Sequence, residues 1–192
     1  AIAIHGSQLV KVHDAQGFQA AVKQSVQELN VSEDIQVLRQ AGTASAVEFS
    51  NETGLFPVNN FQGSYFEKAE QLGDKGQSKH LWLGNIACFG CPIFCSKVGV
   101  IRKGKYAGTI SDIIEYESAA LLGANLGISD IRAVTYLTRL CDRFGMDTMS
   151  TGGVIGFAME AAEKGLLKVP SEIDLQFGNV QAAEYLIRGM AL

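Results

Sequence analysis

The chain is expected to fold as a mainly α, multi-helical domain with a short β remnant at its N-terminus. Downstream of residue 13, apolar residues recur at three- and four-residue spacing, in segments that open on Ser, Asp or Asn and close on glycine. A hydrophobic share of 47% is ample for a core, while charged residues at 19% are sparse enough to fit a chain buried against something else. The β character is concentrated first in Ile2 to Ile4 and Leu9 to Val12, two runs separated by the turn signal Gly6-Ser7. Twelve residues cannot make a stable sheet alone, so residues 1–12 read as the last strands of an upstream β domain and 13–192 as the helical domain. The chain opens on Ala1 in mid-pattern, and is therefore expected to be an internal piece of a longer polypeptide.

The helices follow in order. Asp14 caps the first, with Phe18, Ala21, Val22, Val26 and Leu29 on one face. Ser32 caps a second, whose first turn carries Glu33 and Asp34 against the positive end of the helix dipole and which ends near Gly42. Thr43 to Gly63 reads as turn-rich. Ser64 and Glu67 have capping-box spacing ahead of Tyr65, Phe66, Ala69 and Leu72, with Gly73 as the stop. Asp74 to His80 reads as a polar loop. Val98 to Tyr106 predicts a hairpin with Lys103-Gly104 at its tip. Asp112 with Glu115 caps a helix through Leu122 toward Asn125. Ser129 or Asp130 caps the next, with Ile131, Val134, Leu137 and Cys141 on one face and Gly145 at its end. Asp147 caps a helix to Lys164 and Gly165, and Asn179 caps the last, with Val180, Ala183, Ile187 and Met190 inward.

Three of the four cysteines fall in Ala87 to Gly99, ACFGCPIFCSKVG, as C-x-x-C-x-x-x-C: Cys88, Cys91 and Cys95. Pro92 forbids a regular helix through them, and Gly90 lets the backbone turn sharply between the first two. Such spacing is expected to bring three thiolates toward one point. It suits an iron–sulfur cluster, which takes four thiolates, and loop amides can donate to cluster sulfides. Cys141 lies far downstream in helical register with core residues, so a fourth ligand is expected from outside the chain. A zinc knuckle or unligated core cysteines are the alternatives, although no histidine stands at zinc-finger spacing.

Two other constellations carry polar chemistry. Asp142-Arg143-Phe144-Gly145-Met146-Asp147 is a tight Gly turn with flanking carboxylates. Taken alone it reads as a helix connection, with a C-terminal glycine and an Asp cap, but such a turn can also hold a polar heterocycle. Glu115-Tyr116-Glu117 opens a helix whose next turns are apolar. Locally it reads as an exposed acidic first turn, yet a partly desolvated glutamate there would suit proton transfer. Ser150-Thr151-Gly152-Gly153 lacks the preceding strand and lysine of a phosphate loop, which argues against nucleotide binding. A formal charge of −4 argues against general nucleic-acid binding. No apolar run is long enough to span a membrane, and clustered cysteines fit a reducing compartment, the cytoplasm.

These pieces occur in a recognisable order. AGTASAVEFSNETGLFPVNNFQG, then ACFGCPIFCSKVG, EYESAALLGANLGI, LCDRFGMDTMSTGGVIGFAMEAAEKGLL and IDLQFGNVQAAEYLIRGMA together resemble the tungsten-containing aldehyde:ferredoxin oxidoreductase family over nearly the whole chain. The resemblance implies the first helical domain of such an enzyme, preceded by the tail of its N-terminal β domain. It implies that Cys88, Cys91 and Cys95 ligate a [4Fe–4S] cluster whose fourth cysteine lies in a missing helical domain. It further implies that Asp142, Gly145, Met146 and Asp147 contact one pterin of a tungsten or molybdenum bis-pyranopterin, with Met146 where the family's motif has leucine. Glu117 falls where the family has a glutamate near the metal centre. The implied reaction is oxidation of a small aldehyde to a carboxylic acid, with electrons leaving through the cluster to ferredoxin or a similar carrier. The implied partners are the missing flanking domains of the same polypeptide and a second copy in a homodimer. Outside the resemblance, a non-catalytic helical interaction domain stapled by a zinc or iron–sulfur site is the competing expectation.

Overall fold

The computed structural model describes residues 2–171 and 173–191. Ala1 and Leu192, the outer bounds of the two expected regions, lie outside the described residues, as does Glu172. The mainly helical expectation holds. The described elements are α1 (Ala15–Val31), α2 (Glu33–Ala41), α3 (Ala46–Glu52), α4 (Asp74–His80), β1 (Trp82–Asn85), β2 (Lys97–Val100), β3 (Ile110–Asp112), α5 (Tyr116–Ser118), α6 (Ile131–Phe144), α7 (Thr148–Glu163) and α8 (Val180–Met190).

The predicted caps are present at five helices. Asp14 accepts from Gly17 N, Ser32 from Ile35 N, Asp130 from Arg132 N, Asp147 from Ser150 N and Asn179 from Gln181 N and Ala182 N. Each satisfies an amide that the helix leaves without an internal partner. The core sits where α6, α7 and α8 meet the segment after α5. Leu122, Leu126, Val134, Leu137, Cys141, Ile155, Met159, Ala183 and Ile187 are fully buried there. The last expected inward residue of α8, Met190, is instead exposed. α7 owes its closeness to small residues, because a Cβ on Gly152 would lie 2.4 Å from the Leu121 carbonyl oxygen. Thr151 and Gly152 are thus a packing surface, while a Cβ on Gly153 would meet open space.

Several expectations are corrected. Residues 2–12 form no strand, and Ile2, Ile4, Leu9 and Val10 are almost fully exposed. A strand needs a hydrogen-bonded neighbour, and no described segment supplies one there. α1 forms as expected, but its apolar stripe is not buried: Phe18 and Val22 face solvent. The turn-rich stretch contains α3, anchored by buried Val47. Asn51 of α3 takes the Phe66 amide at 2.6 Å and donates to the Phe66 carbonyl at 3.1 Å. That competition replaces the expected capping box of Ser64 and Glu67, leaving only a 3₁₀ turn at Ala69–Gln71. The polar stretch Asp74–His80 is helical because Gln77 is buried and donates to the Leu72 and Ile114 carbonyls at 3.0 and 2.9 Å.

The sheet is an antiparallel meander in the order β1-β2-β3. Trp82 pairs with Gly99, and Val98 with Asp112. The expected hairpin therefore exists, but its second strand is Ile110–Asp112 rather than a run ending at Tyr106. Asp112 ends β3 and caps nothing. After α5 the chain runs on as a π-turn, Ala119–Gly123, and a 3₁₀ turn, Ala124–Leu126, instead of one regular helix.

Candidate functional site

The cysteine loop spans residues 86–96, between β1 and β2. Its ends are tied by the Ile86 amide donating to the Ser96 carbonyl at 2.9 Å, and a turn places the Cys91 amide 3.0 Å from the Cys88 carbonyl. Gly90 has φ 71°, as a sharp turn requires, and Phe94 has φ 45°, unusual for a bulky side chain. All four cysteines are free thiols: Cys88 is exposed, Cys91 and Cys95 are half-buried, and Cys141 is buried. The expected convergence of three sulfurs is not seen. Among the described residues, no three Cys, His, Asp or Glu side chains gather closely enough to hold a metal ion. Thiols have no mutual attraction to draw them together, and metal–thiolate bonds would supply it. The donor set, three accessible thiols on one short loop, fits three corners of a thiolate-held cluster.

Cys141 does not belong to that set. It lies on the inner face of α6, where burial pushes its thiol pKa up to about 11, with Asp142 and Asp147 adding to the rise against a hydrogen bond from Thr151. A buried protonated thiol is a small core hydrophobe.

The turn between α6 and α7 forms as a left-handed C-cap. Gly145 has φ 67°, its amide donates to the Asp142 carbonyl at 3.1 Å, and the Met146 amide donates to the Cys141 carbonyl at 2.9 Å. Asp142 and Asp147 both project from the surface, and Met146 packs partly on the core. The Asp147 carboxyl accepts from the Ser150 amide at 2.7 Å, which lowers its pKa. Partial shielding raises the Asp142 carboxyl although the residue as a whole is exposed; Asp112 adds to that rise and Arg139 opposes it.

Glu117 is exposed in the first turn of α5. Glu115, which sequence reasoning treats as a cap, makes no capping bond. Thr43 takes that role from a distance, its hydroxyl accepting from the Tyr116 amide at 2.9 Å. Glu115 instead accepts from Thr43 Oγ1 and from Ser96 Oγ, the latter at 3.2 Å. Three residues beyond it, the Ser118 hydroxyl meets the Thr148 hydroxyl at 2.9 Å. Ser96 directly follows Cys95, and Thr148 directly follows Asp147. The start of α5 therefore touches both the cysteine loop and the Gly–Asp turn.

Two cations near the loop had no signal in the sequence beyond their position. Arg39, near the end of α2, donates to the Pro92 carbonyl at 2.9 Å and lies 4.9 Å from the centre of the Phe94 ring. Lys97 is 4% exposed and donates to the Cys95 carbonyl at 2.7 Å and the Leu38 carbonyl at 3.2 Å. Burial lowers its pKa, opposed by Cys95 and Glu115. The sequence Cys95-Ser96-Lys97 opens a strand with a charge, which is the one visible hint. A separate cleft of about 510 Å³ between the β2–β3 connection and α6 is lined by Tyr136, Arg139 and Arg143; neither the cysteine loop nor Glu117 lines it.

A helical body that carries accessible loop thiols, a carboxylate and a Gly–Asp turn on touching segments fits a cofactor-carrying oxidoreductase domain. Residues 20–192 match the model of the family described as aldehyde ferredoxin oxidoreductase, domains 2 and 3, and the chain belongs to that family. It is 39% identical to the tungsten-containing aldehyde ferredoxin oxidoreductase of Thermococcus kodakarensis over 196 aligned residues, covering 100% of this chain and 32% of that protein. The enzyme of the same description from Pyrococcus furiosus is also 39% identical, with 100% and 32% coverage. A more distant relative in Pyrococcus furiosus, an aliphatic sulfonate oxidoreductase WOR-like subunit, is 30% identical over 93% of this chain and 28% of its own length. The chain thus spans about a third of the length of these relatives. No described helix is long and apolar enough to cross a membrane.

Proposed function

We propose that this chain is the helical domain of an enzyme that oxidises small aldehydes to carboxylic acids and passes the electrons to ferredoxin or a similar carrier. In this reading Cys88, Cys91 and Cys95 hold three corners of a [4Fe–4S] cluster, and a cysteine elsewhere in the intact polypeptide completes it. Asp142, Gly145, Met146 and Asp147 hold one edge of a tungsten or molybdenum bis-pyranopterin through carboxylate and backbone groups. When bound, such a metal would supply the two-electron chemistry and such a cluster would carry single electrons.

The observation that carries this reading is the pair of contacts at the start of α5: Ser96 to Glu115, and Ser118 to Thr148. They tie the loop that would hold the cluster to the turn that would hold the pterin. Glu117 lies between Glu115 and Ser118 in sequence and is exposed to solvent. It would take one of the two protons released as an aldehyde hydrate gives up two electrons to become the carboxylic acid, the other passing to water, which is the work of a general base. Glu115 holds the junction together and does no chemistry. Aldehydes are preferred over sulfonates as substrates because the 39% identical relatives carry the aldehyde description and the sulfonate relative stands at 30%. A reducing compartment, the cytoplasm, is part of the same proposal, since an accessible thiol such as Cys88 oxidises readily elsewhere.

The test is aldehyde-dependent reduction of ferredoxin by the full-length polypeptide, produced anaerobically with tungstate and, separately, molybdate. Turnover that Glu117→Gln lowers while cofactor content stays intact supports the reading. Full-length protein that binds zinc alone and reduces no acceptor would instead make it a stapled interaction domain.

A further inference from the structure

We propose that Arg39 of α2 and Lys97 at the start of β2 form a cationic brace between α2 and the cysteine loop that positions the loop and raises the reduction potential of the cluster it holds; this rests on the cluster reading above. The two side chains reach the loop at its second and third ligands. Arg39 donates to the carbonyl of Pro92, next to Cys91, and covers the ring of Phe94, next to Cys95. Phe94 holds a left-handed φ of 45°, a conformation that persists only where its surroundings enforce it. Lys97 bridges the Cys95 carbonyl to the Leu38 carbonyl, at the C-terminal end of α2 where a cation is favoured. Its ammonium also lies 5.6 Å from the centre of the Trp82 ring.

The contact is two-sided. The Arg39 carbonyl accepts from Asn85 Nδ2 at 3.1 Å, just ahead of the loop. Gly42, the C-cap of α2, lies so close that a Cβ there would stand 2.9 Å from the Cys95 carbonyl oxygen. An isolated loop would not need two cations on its backbone carbonyls, one of them almost wholly buried. Charge-assisted hydrogen bonds hold backbone geometry strongly. Positive charge beside a cluster favours its reduced, more negative form, so the same two groups also set its potential upward.

The experiment compares wild-type full-length protein, purified anaerobically, with Arg39→Leu, Lys97→Met and the exposed control Lys23→Met. Iron and acid-labile sulfide are measured first, then hydrogen exchange of residues 88–96, then the midpoint potential by EPR-monitored titration. Both brace variants should exchange these amides at least about tenfold faster, from the loss of a hydrogen bond to a charged group, and their clusters should titrate at lower potential. Lys23→Met should match wild type. Arg39 is only half-buried, so Arg39→Leu carries the test where Lys97→Met does not fold. Iron in the wild type, with unaltered exchange and unaltered potential in the folded variants, would overturn the brace while leaving the three cysteines as ligands. Wild-type protein without iron would overturn the cluster reading and the brace with it.

Discussion

Replacing Cys141 by alanine separates a core thiol from a ligand. The side chain is fully buried on α6, so the substitution removes one heavy atom from a packed site. The expected cost near neutral pH is about 1–2 kcal/mol, from lost transfer energy and a small residual cavity. The pH dependence is the sharper part. The folded chain holds this thiol proton more tightly than the unfolded chain does, with a pKa raised from 9.0 to about 11. The stability this adds is fully present below the unfolded pKa and is lost as pH rises through that window. At about 1.4 kcal/mol per pH unit, the loss amounts to about 3 kcal/mol. Alanine has no proton to lose. The variant should therefore be less stable than wild type at pH 7 and equal or more stable near pH 11. Guanidinium unfolding followed by circular dichroism, under reducing conditions across that range, reads the crossing. Parallel stability curves for the two proteins would refute the buried-thiol argument.

Other perturbations have equally definite outcomes. Gly42→Ala places a Cβ against the Cys95 carbonyl at φ 68° and ψ −166°, a region essentially reserved for glycine; it should cost about 1–3 kcal/mol and speed alkylation of Cys95, both absent if α2 does not press on the loop. Glu117→Gln should leave unfolding within about 0.5 kcal/mol of wild type, as an exposed site does, while lowering turnover of the intact enzyme about 10²–10⁴-fold; wild-type turnover with full cofactor content would remove the catalytic role. Glu115→Gln should behave oppositely, losing charge-assisted bonds from Thr43 and Ser96 and destabilising by about 1–3 kcal/mol, a result that calorimetry can contradict. Asp147→Ala should fray the start of α7; because hydrogen bonding from Ser150 depresses the Asp147 pKa, its contribution exists above the unfolded carboxylate pKa and fades as acid protonates it, so an acid limb of the stability profile unchanged by the mutation would count against the cap.

The legible parts of the fold were those encoded locally. Asp14, Ser32, Asp130, Asp147 and Asn179 mark helix starts because a side-chain oxygen three residues or fewer from an orphan amide needs nothing else from the chain. The illegible parts depend on distant partners. α4 has no apolar stripe, and its helicity rests on Gln77 reaching the Leu72 and Ile114 carbonyls. Thr43 caps α5 from more than seventy residues away, so local spacing points to Glu115 instead. β1 is four residues long with half-buried alternation, too short for a period to register. At the site, cysteine spacing and the Gly–Asp turn stand out because their residue types are rare in such combinations. Arg39 and Lys97 do not, since a cation that serves a loop through backbone carbonyls looks in sequence like any surface charge.

The most direct test of the account is metal analysis of the anaerobically purified full-length polypeptide in four forms: wild type, Cys88→Ser, Cys95→Ser and Cys141→Ala. Wild type and Cys141→Ala should contain iron and acid-labile sulfide in equal amounts and show the same visible absorbance. Cys88→Ser and Cys95→Ser should lose most of both while the helical circular dichroism persists. Iron retained in the two serine variants, or lost from a folded Cys141→Ala protein, would contradict the assignment of the loop as the cluster's seat.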